Sequence, residues 1–129
     1  MIIGIGVDLT RIARFEKWAQ RTPKQLAQIF SPSEIAYCLS SPQSAERFAV
    51  RFAAKEAFYK ALGSWMPKMP PLRTVCKIAQ VMYQNDRPEL IVDWHKLGCQ
   101  PLKAHLSLSH ERDQAVAFVL LTHETANSF

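Results

Sequence analysis

Four groups of residues in this 129-residue chain have the types and spacing that chemistry needs. The first is Gly4-Ile5-Gly6-Val7-Asp8. A Gly-x-Gly after a strand invites a dinucleotide reading, but position 9 is Leu where a third glycine is needed. No βαβ unit follows either, so a Rossmann fingerprint is excluded. What remains is a carboxylate at a strand end, two residues past a glycine that lets something approach the backbone. Asp8 either caps a following helix or holds a ligand.

The second group is Arg51-Phe52-Ala53-Ala54-Lys55-Glu56-Ala57-Phe58-Tyr59-Lys60-Ala61-Leu62. At about 100° per residue, Phe48, Phe52, Glu56 and Lys60 step around one side of a helix in increments of about 40°. Glu56 falls between that row and the alanine row Ala45, Ala49 and Ala53, not on a broad polar face. A carboxylate placed there is partly buried and needs a cation or a metal ion beside it. The plainer alternative is an i,i+4 pair with Lys60, worth about a few tenths of a kcal/mol on a surface.

The third group is His105-Leu106-Ser107-Leu108-Ser109-His110. In a strand, residues 105, 107 and 109 share one face, opposite the leucines. A row of imidazole and hydroxyls either contacts phosphate or is an ordinary solvent face. The fourth is the basic series Arg11, Arg14, Lys17, Arg21 and Lys24, interrupted by one acid, Glu16. The first four form a ridge if this segment is helical. Such a ridge is either a solvated face or a docking surface for an acidic partner. No aromatic stacking series accompanies it, which argues against nucleic acid. The four histidines have no zinc spacing, and the chain has no nucleophile elbow and no P-loop. Cys38 has no base near it in sequence and is not read as a nucleophile.

The elements that must position these groups can be read in turn. Residues 2–7 predict a short buried strand. Leu9, Ile12, Phe15 and Ala19 recur at helical period and predict a helix over 9–21. Thr22-Pro23 starts a second short helix over 23–30, and Ser31-Pro32-Ser33-Glu34 has the capping-box pattern that opens a third. Residues 43–62 lack Gly and Pro and predict the longest helix, with Gly63 at its end. Residues 64–72 hold three prolines and form an extended loop. A strand is expected over 73–83, a turn over 84–87 and a return strand over 88–92, then one helical turn at 93–97 ended by Gly98. Residues 102–109 alternate as a half-buried strand; residues 115–122 are continuously apolar and predict a buried one, followed by a polar tail. The fold class is α+β: an N-terminal strand and helices, one of them long and central, then a mainly antiparallel sheet.

The length suits a single domain spanning 1–129 and buries about two thirds of the extended chain's surface. With 48% apolar and 21% charged residues the composition is globular. The net charge of +5 favours an acidic or polyanionic partner. The longest apolar run, Ala115–Leu121, is far short of the ~20 residues a membrane helix needs. No basic n-region precedes the first apolar residues, so no signal peptide and no membrane association are expected. The three widely spaced cysteines read as reduced thiols of a cytoplasmic protein.

Taken together, G-I-G-V-D-L at 4–9, R-F-A-A-K-E-A-F at 51–58 with Lys60 beyond, and H-L-S-L-S-H at 105–110 resemble the holo-[acyl-carrier-protein] synthases. These are the short bacterial type of 4′-phosphopantetheinyl transferase, and the resemblance covers nearly the whole chain. It implies transfer of the phosphopantetheine arm of coenzyme A to a serine of an acyl carrier protein in fatty acid biosynthesis, with release of adenosine 3′,5′-bisphosphate. By the same resemblance Asp8 and Glu56 are the Mg²⁺ ligands, and Glu56 or a metal-bound water is the base. Lys60 lies near the phosphates, and Arg51 and His110 contact the 3′-phosphate, with Ser107 and Ser109 as weaker contacts. Arg14 docks the acidic carrier, with Arg11, Lys17 and Arg21 beside it on the ridge. A homotrimer with coenzyme sites shared between subunits is also implied, so that Arg51 and His110 could serve one site from different subunits. Two departures from the family pattern stand out: Ser-Trp-Met-Pro-Lys-Met-Pro-Pro at 64–71 replaces a Gly-containing loop, and Asp86-Arg87-Pro88 replaces Gly-Lys-Pro. The reading from a different class is a non-catalytic basic docking module for an acidic protein or nucleic acid, with Glu56 paired only to Lys60.

Overall fold

The computed structural model describes residues 1–124. Strand β1 (Ile2–Arg11) leads into two 3₁₀ turns, Ile12–Phe15 and Trp18–Gln20. Helices α1 (Pro23–Leu26), α2 (Pro32–Leu39), α3 (Ser44–Leu62) and α4 (Leu72–Ile78) follow. The chain ends with the hairpin β2 (Ala79–Gln84) and β3 (Arg87–Val92), α5 (Trp94–Leu97), and the hairpin β4 (Leu102–His110) and β5 (Gln114–His123). Of the polar tail expected after residue 122, residues 125–129 lie outside the described residues.

The α+β class holds, with two separate antiparallel sheets. One has the order β1-β5-β4 and the other is the β2-β3 hairpin. The N-terminal strand therefore pairs with the C-terminal one, in register from Gly4↔Leu121 through Asp8↔Ala117 to Arg11↔Gln114. Helix α3 packs across this sheet and divides the core. Its C-terminal half contributes Ala57, Phe58, Ala61 and Leu62 to one cluster, and its N-terminal half joins Phe48 and Phe52 to Phe15, Leu26 and Phe30 in the other. No helix among the described residues is long and apolar enough to cross a membrane.

Local capping chemistry places the short helices. Thr22 and Ser31 each accept from the backbone of the third helical residue, and Gln25 and Glu34 reach back to complete two capping boxes. Asn85 and Asp86 have φ of 51° and 62°, the left-handed pair that a two-residue hairpin turn between twisted strands requires. Gly98 ends α5 at φ 80°.

Several expectations are corrected: the helix over 23–30 ends at Leu26, and the buried strand over 2–7 runs to Arg11 with Ile5 and Val7 exposed. Residues 9–21 are not a helix, because Leu9 prolongs the alternation of β1 and Leu9, Thr10 and Arg11 still pair with β5. The helical spacing of Ile12 and Phe15 survives only as 3₁₀ turns. Residues 73–83 are not one strand, because 72–78 form α4. Pro70 and Pro71 hold the entry extended, and Val75, Cys76 and Ala79 are buried at helical spacing. The β-branched Thr74, Val75 and Ile78 mimic a strand there. Nor is β5 buried throughout: its burial alternates, and Phe118 is 40% exposed.

Candidate active site

Strand β1 reverses the usual polarity of a half-buried strand. Its inward face is Gly4, Gly6, Asp8 and Thr10, and its outward face is the exposed Ile5, Val7 and Leu9. The glycines permit a very close approach to α3: a Cβ at Gly4 would strike the Ala61 carbonyl oxygen, and one at Gly6 the Ala57 carbonyl oxygen. Alanines on the facing side of α3 complete this seam. Two residues further along β1, Asp8 arrives beside Glu56 and Lys60 of α3.

Asp8 is 6% exposed and lies in the paired part of β1, so it is not the cap of a helix. Its Oδ2 accepts from Thr10 Oγ1 at 2.6 Å and its Oδ1 from Lys60 Nζ at 3.3 Å. Lys60 Nζ also donates to the Val7 carbonyl at 3.0 Å. Lys60 thus turns to Asp8, and the i,i+4 ion pair with Glu56 is not formed. The Glu56 carboxyl is pushed up to about 7, first by burial, then by its hydrogen bond with Asp8 and the Asp8 charge. The charges of Lys60 and Arg14 oppose this without cancelling it. Two carboxyl groups from different elements therefore meet at a partly open site, where the nearness of Asp8 disfavours a second negative charge on Glu56. Among the described residues no three His, Cys, Asp or Glu side chains cluster as a full protein cage for a metal. A pair of carboxylates suits Mg²⁺, which keeps waters and takes substrate phosphates as its other ligands.

A second cleft, of about 380 Å³, brings Arg51 and His110 of one chain together, with Arg47, Tyr37 and Tyr83 also lining it. The Arg51 guanidinium lies 4.3 Å from the Tyr37 ring centroid and 5.5 Å from that of Tyr83. Its Nη1 donates to the Arg47 carbonyl at 3.2 Å, whereas its buried Nε has no hydrogen-bond partner among the described residues. His110 Nε2 is 3.2 Å from Glu46 Oε1. Such cationic groups beside stacked tyrosines are fitted to an anion carried on a flat ring. Ser107 lines instead the groove between β3 and β4, and Ser109 is exposed on β4; neither joins the Arg51 cleft.

Arg11, Arg14, Lys17 and Arg21 are all exposed, but they follow the end of β1 and the two 3₁₀ turns instead of one helical ridge. Arg14 sits 5.7 Å from the Phe15 and Phe52 ring centroids, and Arg21 4.0 Å from that of Trp18. The Arg14 charge reaches Glu56, which puts this basic patch at the rim of the carboxylate site.

Sequence reasoning missed Thr10, Arg47, Tyr37 and a buried ion pair. Lys55, wholly buried, donates to Glu34 Oε1 at 2.7 Å, the Ile29 carbonyl at 2.7 Å and the Cys76 carbonyl at 2.9 Å. Burial pushes the Lys55 ammonium down and Glu34 pulls it back. A signal existed: Lys55 lies two helical turns from Phe48, on the aromatic face, where a lysine needs an internal partner. All three cysteines are unpaired, and burial pushes Cys38 and Cys76 up to about 11, which leaves them inert as nucleophiles.

Comparison with known proteins agrees with this architecture. The family model of the 4′-phosphopantetheinyl transferase superfamily matches residues 4–119. A relative in Geobacter sp. (strain M21), a holo-[acyl-carrier-protein] synthase, is 43% identical over 94% of this chain and 98% of its own. One of the same name in Geotalea daltonii is 39% identical over the same shares. Among solved structures, the holo-(acyl-carrier-protein) synthase of Bacillus anthracis in complex with CoA (3′,5′-ADP) superposes with a TM-score of 0.76. It is 30% identical and covers 96% of this chain and 99% of its own. The Chronobacterium ammoniagenes ACPS-CoA complex gives a TM-score of 0.77 at 30% identity, over 95% and 98%. The chain belongs to the 4′-phosphopantetheinyl transferase superfamily, and within it to the family of the holo-[acyl-carrier-protein] synthases.

Proposed function

We propose that this chain, as a single domain, transfers the 4′-phosphopantetheine arm of coenzyme A to a serine of an apo acyl carrier protein and releases adenosine 3′,5′-bisphosphate. The observation that carries the reading is the Asp8–Glu56 pair, two carboxyl groups brought together from separate elements beside Lys60. A docking module has no use for two acids gathered in this way. Relatives named as coenzyme A complexes support the co-substrate.

The donor set fits a hard divalent cation, and Asp8 and Glu56 are the residues that would hold Mg²⁺. When bound it would supply positive charge against that of the pyrophosphate. Glu56, or a water held against Asp8 and Glu56, takes the proton of the attacking carrier serine. Lys60, half-exposed beside Asp8, steadies the leaving phosphate with its ammonium. Arg51 and His110, with Arg47, hold the 3′-phosphate; Ser107 and Ser109, outside that cleft, are left for contacts elsewhere along the coenzyme. Arg14, with Arg11, Lys17 and Arg21, meets the acidic carrier at the rim, so that docking brings the serine to the carboxylates.

The same reading places the protein in the cytoplasm, in fatty acid biosynthesis, as a homotrimer. Ile5, Val7 and Leu9, each more than half exposed, and Phe118, paired across from Val7, form an apolar sheet face that a second copy would cover. Sedimentation at micromolar concentration is expected to give three times the chain mass, and a monomer would remove this part of the proposal. The reaction itself is tested by the intact mass of an apo carrier after incubation with coenzyme A, Mg²⁺ and this protein, with a parallel sample in EDTA. The expected result is a gain of one phosphopantetheine that chelation abolishes. No gain on several carriers that nevertheless bind would leave a docking module.

A further inference from the structure

Thr10 is the last inward residue of β1 and is 1% exposed. A buried threonine in a strand has several ways to satisfy its hydroxyl. Here Oγ1 donates to Asp8 Oδ2 at 2.6 Å, the short distance of a hydroxyl bound to an ionised carboxylate. The two residues are one strand repeat apart, so both side chains rise from the same face of β1. Lys60 holds the other Asp8 oxygen at 3.3 Å. With a donor on each oxygen, the carboxylate cannot rotate about its Cβ–Cγ bond without losing a partner. The β-branched carbon of threonine stiffens χ1, which a serine would not do as well.

We propose that Thr10 is a positioning residue for the cation site: its hydroxyl fixes the plane of the Asp8 carboxylate so that the remaining lone pairs face Glu56 and the incoming metal. Two neighbours on β1 thus divide the work, Asp8 as ligand and Thr10 as its orienting partner. Orienting partners of this kind change metal affinity by about 10- to 100-fold when removed. This inference rests on the reading of Asp8 and Glu56 as Mg²⁺ ligands, and the experiment separates the two.

Mn²⁺, whose free aquo ion has a readable paramagnetic signal, is titrated into the protein with coenzyme A and no carrier, so that no turnover contributes. Wild type is expected to bind saturably and Asp8→Asn to lose binding. Thr10→Val, close to isosteric, is expected to bind about tenfold more weakly, and Thr10→Ser within about threefold of wild type. Coenzyme A affinity without metal and the thermal midpoint of Thr10→Val stay near wild type, which a merely structural role would not predict. Should the valine variant fail to fold, Thr10→Ala gives the same reading. Wild-type Mn²⁺ affinity in the hydroxyl-less variants, with Asp8→Asn defective, overturns the role of Thr10 alone. No binding by wild type, or undiminished binding by Asp8→Asn, overturns the metal reading and this inference with it.

Discussion

Lys55 and Glu56 are consecutive on α3, yet they serve ionic clusters built on opposite rules. Around Lys55 every group is answered. The ammonium makes three hydrogen bonds, Glu34 Oε1 accepts from Lys55 and the Ser31 backbone, and Glu34 Oε2 accepts from the Val81 backbone at 2.9 Å. Both side chains are fully buried and their charges cancel. Around Glu56 the balance is unfavourable: two carboxylates face one lysine whose side chain is 54% exposed. The first cluster ties the α1–α2 connection, α2, α3, the end of α4 and β2 together; the second is left short of positive charge where solvent can enter. The structural ion pair closes on itself, whereas the Asp8–Glu56 cluster keeps a deficit that, on the proposed reading, a cation would fill.

The largest expected effect comes from parting the elements of the open cluster. Gly6→Ala forces β1 away from the Ala57 carbonyl and separates Asp8 from Glu56. Overpacking of this kind should cost about 4 kcal/mol in a urea titration and abolish carrier modification. Next is Lys55→Met, which strands Glu34 in the interior and should destabilise by about 3 kcal/mol. Adding Glu34→Gln to it should recover part of that loss by removing the orphaned charge. Glu56→Gln has the converse profile. Transfer to the carrier should slow by about 10²- to 10³-fold in a mass-resolved time course, while the thermal midpoint at pH 8 holds or rises.

The smallest effect is one of pH. Glu56 is about 7 in the fold against 4.5 as its ordinary value, so the folded chain holds a proton that the unfolded chain has released. The resulting stabilisation is full below 4.5 and is lost as pH rises through 7. In EDTA the thermal midpoint should therefore fall modestly between pH 5 and 8, and Glu56→Gln should flatten that slope. Metal affinity should run the other way and improve through pH 7, because the Glu56 proton must leave first.

Much of the open cluster was legible because its parts are local. Gly4, Gly6 and Asp8 lie within one strand, and Glu56 and Lys60 within one turn of an uninterrupted helix. Their meeting could be reached only through family resemblance, since nothing local says that β1 lies on α3. The closed cluster was hidden for the same reason: Glu34 looked like a complete capping-box residue, and only the fold reveals that its carboxylate also answers Lys55 and Val81. A strand ending at residue 7 leaves Thr10 outside the alternation that puts it beside Asp8. The helix at 72–78 was obscured by β-branched residues whose burial, not their propensity, decides the conformation.

The seam between β1 and α3 has a mechanical consequence. Where Gly4 and Gly6 meet the carbonyls of Ala61 and Ala57, the spacing is set by main-chain atoms in contact, with no side-chain rotamer between them to hop or compress. Asp8 and Glu56 are therefore carried on a joint of very low compliance, and the gauge of the site is held by the backbones themselves.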